Sequence, residues 1–421
     1  MMRSRSVLGV ATATLVALPG AALAGEGRFS TDVAATAGYS NNPFTENGST
    51  GSAVVSLDVL PRYQWLTERS TTTLSGAASF QQYLKRYSRN DSYSAAVDYS
   101  LRASEQVTTH ARVDLSSSVL GAFNSYLPVA ASTTPIGLTP GVGTIPGGTN
   151  TITPIPSATS FPALTDIGLF GLRNRRKLAR FSGDISASLS ARDSLTTSVS
   201  FEAARYDRAL VAGDYEGYSG SVGYSRRVSE RFSVGIRGTG SRYTYRRSDS
   251  NTNVFSLEGT FSGQLSELWT VDGALGASFV DSGGVGSTRR TSVSGNIGFC
   301  RRGELSVMCV QASRQVSPTG LVGTQYVTSA GVNWSKQLGE RENLSLSADY
   351  SKVGGDRADI LLGGQRLRTE YVQAVVGYDR QLKQRLRFVA STNYRKLLGG
   401  GAARSDFGGQ VGLSYHFGDL R

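Results

Sequence analysis

The chain has 421 residues, 18% charged and 39% hydrophobic, with 50 glycines, two cysteines, two histidines and a formal net charge of +12. Two cysteines exclude a disulfide-stapled scaffold or a zinc ribbon, and two histidines leave little from which to build a His-based catalytic or metal site. No run of about 20 apolar residues occurs, which excludes transmembrane helices, and the excess of Gly, Ser, Thr and Tyr over charged residues marks a β-rich chain.

The N-terminus begins with Arg3 and Arg5, followed by an apolar stretch over 7–18 and the breaker Pro19-Gly20. Ala22-Leu23-Ala24 then places small residues on either side of a leucine before Gly25. This is the three-part pattern of a cleaved secretory signal, and its apolar core is too short for a membrane anchor. No cysteine follows, so lipid attachment at that site is not available. Residues 1–24 are therefore expected to be removed near Ala24, leaving 25–421 as one domain.

From Ala53 onward the odd positions read Ala, Val, Leu, Val, Pro, Tyr, Trp, while the even ones include Ser56, Asp58, Arg62 and Gln64. The same period of two returns at Tyr93, Ala95, Val97, Tyr99, Leu101 and at Leu344, Leu346, Ala348, Tyr350. These segments run about twice the five or six residues of a soluble strand, whereas a tilted strand crossing a bilayer needs about 9–11. Eighteen segments can be placed, at 29–39, 53–66, 71–84, 92–103, 107–120, 177–190, 195–206, 218–228, 232–244, 254–265, 269–281, 290–300, 305–314, 326–337, 343–352, 371–380, 385–396 and 406–417. Their connectors alternate between short turns and longer Gly/Ser/Asn/Asp-rich loops. That alternation predicts an antiparallel transmembrane β-barrel of about 18 strands with both chain ends on the short-turn side. A soluble sandwich would show neither the strand length nor two connector classes.

The phase of each strand assigns residues to the lumen: Asp58, Arg62, Asp98, Arg102, Arg112, Asp114, Arg180, Asp184, Glu202, Arg227, Arg237, Glu258, Asp272, Asp349, Arg387, Arg395 and Asp406, eight basic and nine acidic. Unpaired charges in a dry interior would be prohibitive, so these residues argue for a water-filled lumen, with acid–base pairing along the wall as the simpler role of each. Inward aromatics are few, Tyr83, Tyr206 and Tyr371 being the clearest. The surplus of positive charge gathers after the long third outer connector, at Arg173, Arg175, Arg176 and Lys177, with Arg246, Arg247, Arg289 and Arg290 at other outer strand ends. These residues suit either the phosphates of lipopolysaccharide or a basic outer vestibule. The second role predicts a weak anion preference that fades as salt screens the mouth. The third outer connector, 121–174, is rich in Pro, Thr and Gly, and Asp166 is its only charge before Arg173. Both an inward plug and an external loop fit its composition.

Catalysis has little to stand on. His110 is an inward wall residue beside Arg112, His416 lies near the C-terminus, and no cofactor is implied. Nucleic acid is set aside despite the basic balance, because an exported barrel rarely meets it. Cys300 and Cys309 flank a turn read at 301–304, and in that register they do not face each other, so a disulfide would require a shifted hairpin.

Two stretches resemble known proteins. Gln410-Val411-Gly412-Leu413-Ser414-Tyr415-His416-Phe417 is similar to the β-signal read by the β-barrel assembly machinery, with Gln410, Gly412, Tyr415 and Phe417 in its polar, glycine and aromatic places. It departs from the pattern in continuing for four more residues. With the export signal and the alternation, it identifies the chain as resembling Gram-negative outer-membrane barrels of the porin type. The resemblance implies an outer-membrane location and passive diffusion of small hydrophilic solutes, with a third outer loop that narrows the lumen. Finally, Thr36-Ala37-Gly38-Tyr39-Ser40-Asn41-Asn42-Pro43-Phe44 looks like the opening of barrels associated with exopolysaccharide gene clusters, which implies polymer export as an alternative. A non-conducting structural or adhesive barrel is a further alternative, and the sequence does not distinguish monomer from trimer.

Overall fold

The computed structural model describes residues 25–46, 48, 50–122, 162–207, 213–246, 250–283, 288–320, 323–358, 366–399 and 404–418. The expected export signal over 1–24 and Arg247 lie outside them. Strong alternation over long segments yields strands throughout. They are β1 (Glu26–Ser40), β2 (Ser52–Leu66), β3 (Ser70–Tyr83), β4 (Arg89–Arg102), β5 (Val107–Val119) and β6 (Arg175–Ser188). There follow β7 (Asp193–Tyr206), β8 (Tyr215–Arg227), β9 (Phe232–Tyr245), β10 (Ser250–Gln264), β11 (Trp269–Ser282) and β12 (Thr288–Arg302). The last six are β13 (Ser306–Pro318), β14 (Thr324–Gly339), β15 (Glu342–Ala358), β16 (Arg366–Gln381), β17 (Leu386–Leu398) and β18 (Arg404–Gly418).

Each strand pairs antiparallel with the next, and β1 also pairs with β18 from Ser30↔Gly418 to Ser40↔Gly408. The sheet is therefore a closed eighteen-stranded barrel. Closure leaves no edge, which is the condition for a sheet to stand in lipid. The alternating residues now separate by side. Leu57, Leu115, Val199, Ile236, Leu275 and Val293 are exposed on the outer face, an apolar exterior that is stable only against hydrocarbon. Asp58, Arg112, Arg395 and Asp406 on the opposite phase are buried.

One end of the barrel carries the short turns. Several are closed by a serine hydroxyl, as where Ser190 Oγ accepts from the Arg192 and Asp193 amides at 3.1 and 3.0 Å. Both described chain ends lie on this side, as the even strand count requires.

The Cys300–Cys309 expectation is overturned. The two face each other directly across β12 and β13 and form a disulfide. The turn lies two residues later than the sequence suggests, because Val307-Met308-Cys309-Val310 is apolar without a break and its phase cannot be read.

The seam between β18 and β1 has a steric requirement at one position. A side chain on Gly412 would place its Cβ 2.1 Å from the Ala35 carbonyl oxygen and 2.7 Å from Thr36 Cα. Gly412→Val is expected to weaken the seam by about 1–3 kcal/mol. The folded fraction in unheated gel electrophoresis should fall accordingly. An unchanged folded fraction would show that the seam tolerates a side chain.

Candidate functional site

On the inner wall, most of the charged side chains are joined in pairs. Across β4, β5 and β6, Arg112 donates to Asp114 at 2.7 to 3.0 Å and lies 3.6 Å from Asp98. His110 sits between Asp98, at 3.1 Å, and Asp184, at 3.4 Å. Both ring nitrogens are thus engaged by carboxylates, the arrangement of a wall crosslink. Arg180 pairs with Glu202 at 2.5 Å across β6 and β7, and Arg237 with Glu258 at 2.5 Å across β9 and β10. Asp58 and Arg62 occupy the inner phase of β2, Asp272 that of β11 and Asp349 that of β15. Arg102, Arg227 and Arg387 stand near the short-turn ends of β4, β8 and β17.

The outer mouth is crossed by the end of the third connector. A 3₁₀ segment, Pro162–Leu169, leads into Phe170, and Ile167, Leu169 and Phe170 are buried. They share one apolar cluster with Leu178, Ala204, Tyr206, Tyr215 and Tyr245 from β6 to β9, and with Val327, Val353, Tyr371 and Leu397 from β14 to β17. A single cluster drawing on both walls means that the segment spans the mouth. Of the two readings left open for this connector, its described part is inward. Residues 123–161 lie outside the described residues.

Asp166 fixes the crossing. The residue is fully buried, and its carboxylate accepts from Arg176 Nη1 at 2.8 Å, Tyr206 OH at 2.7 Å and the Gly320 amide at 2.7 Å. Three donors, one of them cationic, meet the cost of burying a carboxylate. A second anchor is the buried Arg395 on β17. It pairs with Asp406 at 2.6 Å and also donates to the carbonyls of Pro43, Gly121 and Ala122 at 3.0 to 3.1 Å. One wall guanidinium thereby holds the first outer loop and both the wall and the start of the third connector. Gly171 follows the crossing at φ +81°, where a Cβ would lie 2.7 Å from the Thr45 carbonyl oxygen. Only glycine adopts that conformation at such close approach without strain.

The basic group after the long connector does not form one mouth. Strand β6 begins at Arg175, two residues earlier than the sequence suggests, so alternation divides the group. Arg176 faces inward and is bound to Asp166, while Arg175 and Lys177 face outward toward Asp91, at 3.4 Å, and Asp207, at 2.8 Å. Arg173 precedes the strand and stacks between the rings of Phe44 and Tyr87 at 4.8 and 4.7 Å, paired with Glu46. Arg246 is exposed and bonds Glu216 at 2.7 Å, Arg289 is exposed near Asp281, and Arg290 takes the inner phase of β12.

Inward aromatics are also more numerous than the sequence reading allowed, since Tyr215, Tyr243 and Tyr245 join Tyr83, Tyr206 and Tyr371. Tyr215 was missed because β8 starts three residues before the span read for it. Tyr243 and Tyr245 share the phase of Arg237, and that phase was the available signal. At the C-terminus, Gln410 and Gly412 take the inner phase of β18, while Tyr415 and Phe417 project outward with ring centroids 4.6 Å apart.

No family model and no curated protein sequence matches the chain. Among solved structures it is similar to OprD of Pseudomonas aeruginosa, at 9% identity and TM-score 0.43, with 95% of this chain and 98% of that one covered. OccK2 (OpdF) of Pseudomonas aeruginosa is similar at 11% identity and TM-score 0.43, with 94% and 99% covered. The outer membrane protein opdK of Pseudomonas aeruginosa is similar at 11% identity and TM-score 0.43, with 93% and 99% covered.

Removing the Asp166 charge tests the crossing. Asp166→Asn leaves Arg176 buried without its counter-ion, a change worth about 3–5 kcal/mol. The segment is expected to release from the wall, raising single-channel conductance in planar bilayers and opening 162–174 to protease. Unchanged conductance and protection would show that the apolar cluster alone holds it.

Proposed function

We propose that the protein is a channel of the bacterial outer membrane through which small hydrophilic solutes diffuse passively. The observation that carries this reading is the closed eighteen-stranded barrel with an apolar exterior and a charged, hydroxyl-bearing inner face. Barrels of 16–18 strands are too wide for side chains to fill and enclose an aqueous channel. The crossing segment narrows the outer mouth and sets which solutes enter. The paired acids and bases of the inner wall are structural crosslinks that leave little net field along the path.

The surrounding partners follow from the outer surface. Arg175, Lys177, Arg246 and Arg289 face outward at the outer strand ends, where they suit the phosphates of lipopolysaccharide. Gln410, Gly412, Tyr415 and Phe417 lie on the closing strand and serve as the signal read by the barrel assembly machinery. The N-terminal 24 residues act as the export signal.

Reconstitution into planar bilayers tests the channel reading, and steady ohmic steps are the expected result. With Arg175 and Lys177 outside the lumen, Arg176 bound to Asp166 and Arg173 paired with Glu46, the vestibule argument for anion preference loses most of its charges and keeps Arg290. The reversal potential across a tenfold salt gradient is therefore expected near zero. A silent bilayer with wild-type protein and with Asp166→Asn would instead favour a structural barrel.

A further inference from the structure

Every strand of the ring pairs with the next, but β12 and β13 do so only over the half nearer the short turns. Their ladder runs from Arg302↔Val307 to Gly295↔Arg314 and stops there. Both strands continue past that point, β12 paired with β11 out to Thr288 and β13 with β14 out to Pro318. Among the described residues, 288–294 therefore present a backbone edge with no strand beside it. The cause lies at the mouth. The tip of the β13–β14 hairpin leans inward, where the Gly320 amide donates to Asp166 at 2.7 Å and the Gly320 carbonyl accepts from the Gly213 amide at 2.6 Å. A Cβ on Gly320 would lie 2.6 Å from the Tyr206 ring, so the tip packs against β7 rather than beside β12.

Register fixes the height of the gap. Thr291 pairs with Phe279 and Val316 with Tyr326, so outward aromatic rings flank it on both sides. Such rings mark the headgroup level of a bilayer, and the gap opens there toward the outer leaflet. At its foot the exposed Arg314 projects from the lipid face, its guanidinium 5.5 Å over the Tyr326 ring and donating to Thr328 at 3.0 Å. No carboxylate pairs with it among the described residues. An arginine on the lipid side without a counter-ion is costly and by default marks a functional site. On the other side of the gap, a groove of about 510 Å³ on the lipid face reaches β12. Phe255, Phe279 and Thr291 line its membrane side, Asn253 and Arg289 its outer side. Phe255 and Phe279 stack at 6.4 Å, and Arg289 has Asp281 3.8 Å away.

Resting on the channel reading, we infer that the gap is a lateral portal between lumen and outer leaflet for amphiphiles with an anionic head. The head meets Arg314, and the tail lies in the apolar groove. Hydrocarbon cannot satisfy the backbone edge of 288–294, so water or a polar group has to reach it from the lumen. A cationic head would be repelled by Arg314, and an uncharged one would leave that arginine without a counter-ion. The Cys300–Cys309 bond lies in the paired half below the gap and keeps the parting from running down to the short turn.

Photolabelling of the full chain in phosphatidylcholine vesicles tests this, with a diazirine-bearing palmitate as probe and mass spectrometry to locate the label. Labelling is expected to concentrate at 289–293 and 314–316, with dodecyl phosphate displacing the probe and dodecyltrimethylammonium not. It should include the inward Ser292 and Gln315, which only a molecule within the gap can touch. In Arg314→Gln it should fall at least about tenfold, as loss of a charge-assisted bond predicts, with gel mobility retained. Labelling spread evenly over the exterior, confined to outward residues, or unchanged in Arg314→Gln overturns the inference. A second variant, Ser292→Cys/Ser317→Cys, places thiols where they would face each other, as Cys300 and Cys309 do, if the ladder ran on. Two free thiols are expected, and complete pairing in the purified protein shows a closed wall and overturns the portal. Ohmic conductance with evenly spread labelling defeats this inference alone, whereas localised labelling without conductance defeats the channel reading and leaves the amphiphile site.

Discussion

Everything in this molecule depends on the absence of hydrogen-bonding partners in hydrocarbon. A strand placed there must pair on both sides, so the sheet must close, and β1 meets β18 through an uninterrupted antiparallel ladder. Closure fixes the parity of the pleat around the ring, and parity turns an alternating sequence into two chemically opposite surfaces. Leu57 and Asp58 are neighbours in the chain, yet one meets lipid and the other the interior. The low charged fraction and high Gly, Ser and Thr content are consequences of the same demand. Half of every strand must be apolar for lipid, and the other half polar but cheap to pack.

The second constraint is the one imposed by the mouth. A ring this wide does not fill itself, so the segment that crosses it has to bring its own core and anchors. Ile167, Leu169 and Phe170 supply the apolar part, and Tyr206, Tyr215, Tyr245 and Tyr371 lean in from the wall to receive it. Tyrosine suits this position because its ring packs against the segment while its hydroxyl can still find an acceptor. Tyr206 does so on Asp166.

The sequence and the structure agree where periodicity is strong and part where it lapses. Strand number, pairing partners and the inward phase of Asp98, Arg112, Glu202 and Arg395 were legible, because a period of two over a dozen residues leaves one choice of face. The Cys300–Cys309 bond was not, since four apolar residues in succession erase the phase that sets the register. The basic cluster was visible as composition, but its division depends on where β6 begins. A shift of two residues turned a supposed mouth into one buried anchor and two lipid-side charges. Asp166 stood out as the isolated charge of its loop, yet nothing local revealed that Arg176, ten residues on, and Gly320, far along the chain, would converge on it.

The ionic anchors are better understood as devices of register than of stability. A buried pair costs much of what it returns, and well-packed apolar residues would often hold a segment as firmly. An apolar patch, however, would let the crossing slide along a wall already lined with tyrosines. A carboxylate that must meet a guanidinium, a phenol and one backbone amide has a single place to sit. The same holds at Arg395, whose guanidinium must satisfy Asp406 and three loop carbonyls at once. Two such points define the position of the segment across the opening.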